Sequence, residues 1–364
     1  MRIRQIWIIF LIGLVMIACS QSEVPGGQFI EFQDPFLKEA LLLKCTSENY
    51  EFRESYLDIN RDGEISYEEA ASVEFLSIVQ GNIEKLDGLE HFVNLRVLKI
   101  SSNRVSDLRP LASLTKLEKI DVFDNELEDL RGLENLVNLK VLGLEGNHLN
   151  NLDEIKDLKE IRDLDVCSNG IEDISAVSNF EKIEYFCILG NNVTDLSALE
   201  NLENITSLNL SLGPVKDLTS LKNLTSLETL FLWDCHVEDL SPLEGLVNLR
   251  RLGIDENRIS DISSLAYLEK LEELTAGFNE IEDISAIKFL NGLKVIDFEN
   301  NNIIEIDALE KMTNLEELNL RMNDIEDVKP LVNLNQLVWV NLGGNKIKNI
   351  HLLEKLENTR IYMQ

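Results

Sequence analysis

The chain is expected to fold as an α/β solenoid. It should wind as a right-handed superhelix, with a parallel β-sheet on the concave face, 3₁₀ or extended segments on the convex side and a small helical cap at the N-terminus. Two observations lead there. Asn103, Asn125, Asn147, Asn169 and Asn191 lie 22 residues apart, and the step continues through Gly213, Cys235, Asn257, Asn279, Asn301, Asn323 and Asn345. One step back reaches Gly81, which makes thirteen positions without insertion or deletion, ten of them Asn. Around each, seven apolar slots keep the same register, as Leu142, Leu144, Leu149, Leu152, Ile155, Leu158 and Ile161 do around Asn147. Thr359 is the only polar residue in those slots. A fixed period of this length marks stacked units that share one continuous core.

Each part of the repeat has its own reason. Leu142-Gly143-Leu144 alternates inward and outward, as a short strand does. The later apolar residues come every third position, which suits a 3₁₀ turn or a tight arc. An Asn side chain carries donors and an acceptor, so a stacked column can satisfy the backbone leaving each strand. Cys235 is an accepted substitute, but Gly213 cannot join that ladder, so repeats six and seven should be its loosest point. The pattern is that of the leucine-rich repeat, and residues 75–364 hold about thirteen copies.

The composition is ordinary for a folded protein, but the formal net charge of −31 is not. Such a chain is repelled by nucleic acid and anionic surfaces, and basic or neutral partners suit it. Residues 1–18 read as a lipoprotein signal peptide. A basic start is followed by an apolar stretch from Ile6 to Ala18, too short to span a bilayer. Met16-Ile17-Ala18-Cys19 resembles a bacterial lipobox, which implies cleavage before Cys19, lipidation there and an envelope-anchored protein. An ordinary secretory signal is the alternative. Cys235 should be buried, and Cys167 and Cys187 should face outward on neighbouring strands. Their two-residue offset puts the Cα atoms roughly 8 Å apart, beyond disulfide reach. No disulfide is expected.

Residues 19–31 read as a tether, and residues 32–74 as the cap. Asp34-Pro35 is a helix start, with Phe36, Leu37, Ala40, Leu41 and Leu43 available for burial up to Lys44. The segment from Asp58 to Glu69 matches an EF-hand calcium loop. Asp58, Asn60 and Asp62 would supply side-chain oxygens and Glu64 its carbonyl. Ser66 would act directly or through water, and Glu69 would close the site in bidentate fashion. Gly63 permits the turn and Ile65 anchors the loop. The competing reading is an Asp-Gly turn followed by a Ser66–Glu69 helix capping box.

The cap and the repeats together resemble the internalin family of bacterial surface proteins. Asp107-Leu-Arg-Pro-Leu111, Asp239-Leu-Ser-Pro-Leu243 and Asp327-Val-Lys-Pro-Leu331 carry that family's signature. Asp fills this slot in nine of thirteen repeats, where it can cap the 3₁₀ segment. The resemblance implies the fold and a surface location. Departures are the missing immunoglobulin-like domain and sorting signal, so attachment is expected through Cys19 and host-cell invasion is not implied.

No catalytic constellation survives inspection. The four histidines are scattered, and no phosphate loop, G-x-S-x-G or H-E-x-x-H occurs. The informative residues stand six, four and two places before the Asn column, facing outward on the concave side. At the centre these are Cys167, Tyr185, Cys187, Leu189, Thr229, Phe231 and Trp233, with Phe123 and Trp339 further out. Asp121, Glu145, Asp163 and Asp165 flank one side; Asp255, Asp297 and Glu299 flank the other. Aromatic residues rimmed by charge suit a protein interface. The function expected is therefore recognition of a protein partner, basic or glycosylated, on the concave face. A structural envelope protein without a ligand and a glycan binder are the alternatives.

Overall fold

The computed structural model describes residues 29–43 and 57–363. The expected signal peptide, Cys19, the tether up to residue 28, Lys44 and Cys45 lie outside the described residues. Fourteen strands run from β1 (Phe75–Val79) to β14 (Arg360–Tyr362) in one sheet. Their order in the sheet is their order in the chain, and every neighbouring pair is parallel. The strands used below are β3 (Lys119–Asp121), β4 (Val141–Gly143), β5 (Asp163–Asp165), β6 (Tyr185–Cys187), β7 (Ser207–Asn209), β8 (Thr229–Phe231), β9 (Arg251–Gly253), β11 (Val295–Asp297) and β12 (Glu317–Asn319). Partners sit 22 residues apart, as Lys119 and Val141 do, so the sequence period is the strand register. The last step is one residue shorter: Trp339 pairs with Arg360. Ile361 is therefore placed opposite Val340, and Tyr362 is exposed.

The seven apolar slots form one core along the stack, nearly all at 0–2% exposure. The Asn column holds it together from the side. The Asn147 carboxamide accepts from Leu127 N–H at 3.0 Å, and donates to the carbonyls of Val122 and Leu144 at 3.1 and 2.9 Å. Each Asn thus grips the turn of the preceding repeat as well as its own. At Cys235 the thiol donates to the carbonyls of Leu210 and Trp233, both at 3.3 Å, but offers no carbonyl oxygen to Val215 N–H. Gly213 offers Val193 nothing. Burial pushes the Cys235 thiol up to about 11, so it stays protonated and donates. On the convex side all nine Asp residues accept from the N–H two residues on, at 2.7–3.1 Å, eight of them at the start of a 3₁₀ segment and Asp129 at a turn.

One carboxylate ties the cap helix to the first repeat. Asp34 precedes α1 (Pro35–Leu43) and accepts from Phe36 and Leu37 N–H. Its other oxygen accepts from Glu84 and Lys85 N–H at 2.7 and 3.0 Å, in the first repeat. Burial alone would raise the Asp34 carboxyl; the four N–H groups outweigh it and hold it below the ordinary value. Leu37 and Leu41 are buried, but Phe36 and Leu43 are exposed, contrary to expectation, because only one helical stripe meets the cap core. Phe29 and Ile30, within the expected tether, belong to the fold. Phe29 bridges to Ser66, and Ile30 donates to Ile65 O at 2.9 Å and is buried.

Asn147→Ala leaves the Leu127 N–H without its acceptor, while the Val122 and Leu144 carbonyls keep the neighbouring carboxamides of Asn125 and Asn169, and should cost about 2 kcal/mol in urea unfolding. Cys235→Asn supplies the missing acceptor and should raise stability. If both changes destabilise alike, the carboxamide ladder is not what holds the turns.

Candidate functional site: the concave face of the sheet

The centre of the concave face is aromatic. The Phe231 and Trp233 rings meet edge to face, with centroids 5.8 Å apart. Trp233 is 44% exposed, Tyr185 37%, and Leu189 and Phe231 are partly exposed. Gly253 on β9 makes this possible. A Cβ there would stand 2.5 Å from Trp233 Nε1 and 2.8 Å from Phe231 Cδ1, so the two rings lie against bare backbone. Sequence reasoning missed this residue, although its column, four places before Asn257, marked it as outward-facing. It also missed Arg251, exposed on the same strand, whose Nε lies 3.3 Å from Thr229 Oγ1. Thr229 is buried rather than exposed.

Cys167 and Cys187 form a disulfide, with Cα atoms 5.7 Å apart and both residues buried. This overturns the expectation of two separate outward thiols. The 8 Å estimate assumed that extended strand continues through Cys167. Instead β5 ends at Asp165, whose carboxylate accepts from Cys167 N–H at 3.0 Å and folds the chain back. Val166 donates to Cys187 O, and Ser168 takes a φ of +55°, which completes the bend toward β6. The bridge ties two repeats together beside Tyr185.

The two acidic flanks are not alike. On one side, Asp255 accepts from Thr275 Oγ1 and from Gly277 N–H at 2.8 Å. Asp297 accepts from Glu299 N–H and Asn319 Nδ2. Glu299 accepts from Asn319 Nδ2 at 3.0 Å and from Arg321 Nη1 at 2.6 Å. On the other side, Asp121, Glu145, Asp163 and Asp165 line a concavity of about 280 Å³ with Lys119 and the exposed Phe123. Among the described residues none of these four acids is in an ion pair within 4.0 Å. Trp339 is partly buried further along the face.

In the cap, the loop residues proposed for calcium sit together. Asp58 accepts from Asp62 and Gly63 N–H, Asn60 from Asp62 N–H, and Asp62 from Glu64 N–H. The Glu64 side chain turns away to Lys38 Nζ at 2.6 Å, which suits a residue offering only its carbonyl. Ile65 is fully buried. Glu69 accepts from Ile59 N–H, Ser66 N–H and Ser66 Oγ, and Ser66 Oγ accepts from Glu69 N–H, completing a capping box at α2 (Tyr67–Ala71). The donor set is all hard oxygen, as calcium requires, and the capping box is present as well.

The family model "Leucine Rich repeats (2 copies)" matches residues 93–135, 225–267 and 291–333. Among solved structures, an internalin (inlF) from Listeria monocytogenes is 27% identical, covers 91% of this chain and 95% of its own, and superposes with a TM-score of 0.85. A leucine-rich-repeat protein from Leptospira interrogans is 22% identical over 82% of this chain and 80% of its own, with a TM-score of 0.75. The ectodomain of the plant receptor kinase GASSHO1/SCHENGEN3 from Arabidopsis thaliana is 20% identical over 82% of this chain and 45% of its own, at 0.66. No match was found among curated protein sequences.

Burial, first, raises the carboxyls of Asp163, Asp165, Asp255 and Asp297, and neighbouring acids add to it. Such groups hold their proton more tightly folded than unfolded, so stability rises as pH falls through their folded values. Asp34 and Glu69 run the other way: burial is outweighed by N–H and hydroxyl donors, and their contribution is lost as pH falls through their lowered values. The melting temperature should therefore rise on acidification from neutral pH as the raised carboxyls protonate, and drop once the lowered ones do. Asp165→Asn should raise it at neutral pH and shrink the rise. A steady fall from neutral pH would contradict this assignment.

Proposed function

We propose that this internalin-like leucine-rich-repeat protein is a recognition protein of the bacterial cell envelope, binding a protein partner on its concave face. The observation that carries the reading is that Tyr185 and Leu189 at β6 and Phe231 and Trp233 at β8 are exposed or partly exposed on one face of the sheet, on either side of β7. Two aromatic rings stacked on a glycine backbone are rigid and lose little freedom on binding. The same fold supports the choice: the plant receptor ectodomain was solved in complex with CASPARIAN STRIP INTEGRITY FACTOR 2. The structurally similar chains include an internalin and the ligand-binding ectodomain of a receptor. Cys19 is the proposed lipidation site and anchor.

One cross-linking pull-down from intact cells tests both halves. Phe231→Ala with Trp233→Ala should lose the partner by at least tenfold, roughly what two buried aromatic anchors carry, and stay in the membrane fraction. Cys19→Ser should keep the partner and move to the soluble fraction. Undiminished capture by the double variant removes the concave site; a membrane-bound Cys19→Ser protein removes the anchor.

A calcium ion in the cap is the second part of the proposal. Asp58, Asn60, Asp62, the Glu64 carbonyl, Ser66 and Glu69 would hold it, and its role there is structural. Capping and ligation can be separated, because Gln keeps a capping box but offers no bidentate carboxylate. Calcium should raise the wild-type melting temperature over the chelated protein and leave Glu69→Gln unaffected. Equal melting with and without calcium would reduce the loop to a capped turn.

A further inference from the structure

The two acidic flanks of the concave face differ in a way that specifies the partner. One column at the edge of the sheet pairs its acids with cations. Seven places before the Asn column, Arg96, Glu118 and Lys140 form one row of ion pairs, Arg162 and Glu184 a second, and Arg250, Glu272 and Lys294 a third. The flank at Asp255, Asp297 and Glu299 is satisfied by Thr275, Gly277, Asn319 and Arg321. At Asp121, Glu145, Asp163 and Asp165 the only hydrogen bonds received, among the described residues, are from Ser101 Oγ to Asp121 and from Cys167 N–H to Asp165. Lys119 is the one cation lining the concavity.

We propose that the partner docks through an extended basic segment. It sets an arginine in the concavity beneath Phe123 and an apolar or aromatic residue on Phe231 and Trp233. This rests on the concave-face reading and names its partner by charge complementarity. A guanidinium matches paired carboxylates in two-pronged fashion, and it also favours aromatic surfaces such as Phe123 and Tyr185. Burial and mutual repulsion already raise Asp163 and Asp165, so a cation there relieves an existing cost. Three strand steps separate β5 from β8, about 14 Å at the usual spacing. Roughly four extended residues span that distance.

The test uses a fluorescein-labelled peptide with two arginines four residues before a tryptophan, and a twin carrying citrulline in place of arginine. Binding to the full protein is read by fluorescence anisotropy. Two variants remove the same charge: Asp163→Asn with Asp165→Asn, and Asp297→Asn with Glu299→Gln. The first should weaken the arginine peptide by about tenfold or more, and the second should leave it within about twofold. The citrulline peptide should bind neither variant nor wild type. Equal weakening by both variants would show diffuse attraction to an acidic surface and overturn the proposal, as would tight binding of the citrulline peptide. Failure here is separable from failure of the broader reading. Should Phe231→Ala with Trp233→Ala lose the cellular partner while both charge variants keep it, the face stands and the basic segment falls.

Discussion

A stack of short strands buries the turns that follow them, and a buried turn must find partners for its own N–H and carbonyl groups. The asparagine carboxamide answers this need, because it donates and accepts within one side chain. The reach of the Asn147 side chain into the preceding repeat makes the bond both local and longitudinal. The hydrophobic columns supply the larger driving force, but they tolerate sliding. The carboxamides fix the pitch. Strand register, the direction of each outward side chain and therefore the composition of the concave face all follow from it.

Charge is arranged in two ways on this scaffold. At the edge of the sheet, acids and bases alternate from repeat to repeat and neutralise one another. These pairs are exposed and contribute little to stability. On the face itself the acids are partly buried, and there the distinction between satisfied and unsatisfied carboxylates matters more than their number. Asp255 and Asp297 have fixed donors, so they belong to the architecture. Asp163 and Asp165 carry a cost that the fold alone does not offset.

Much of the fold was legible because the repeat is exact in length. Strand register, the Asn ladder, the Asp caps and the Asp34-Pro35 helix start could all be read from spacing. What escaped depends on side chains meeting across an offset. The Cys167–Cys187 bridge needed the bend after Asp165, which no periodicity reports. A second set of asparagines was also missed. Asn138, Asn204, Asn248 and Asn314 donate to carbonyls in the preceding repeat, and Asn94 to the Ala71 carbonyl of the cap, at 2.6–2.9 Å. Their column is mixed with Lys and Glu, so no unbroken pattern gives it away. At the site, the aromatic residues and both acidic flanks were named from sequence. Their inequality was not, because Asn319, Thr275 and Arg321 become partners only once the strands are side by side.

Gly213 and Cys235 are adjacent rungs, with five asparagines on either side of them. In a linear array held by nearest-neighbour couplings, two weakened couplings in succession form a seam. Backbone pairing continues through β7 and β8, but with the side-chain ladder interrupted there, a change of curvature would concentrate at that seam. Phe231 and Trp233 sit on that seam and the disulfide just before it. A ligand gripping both sides of it would set the angle between them, so occupancy of the concave face becomes a change in the shape of the whole arc.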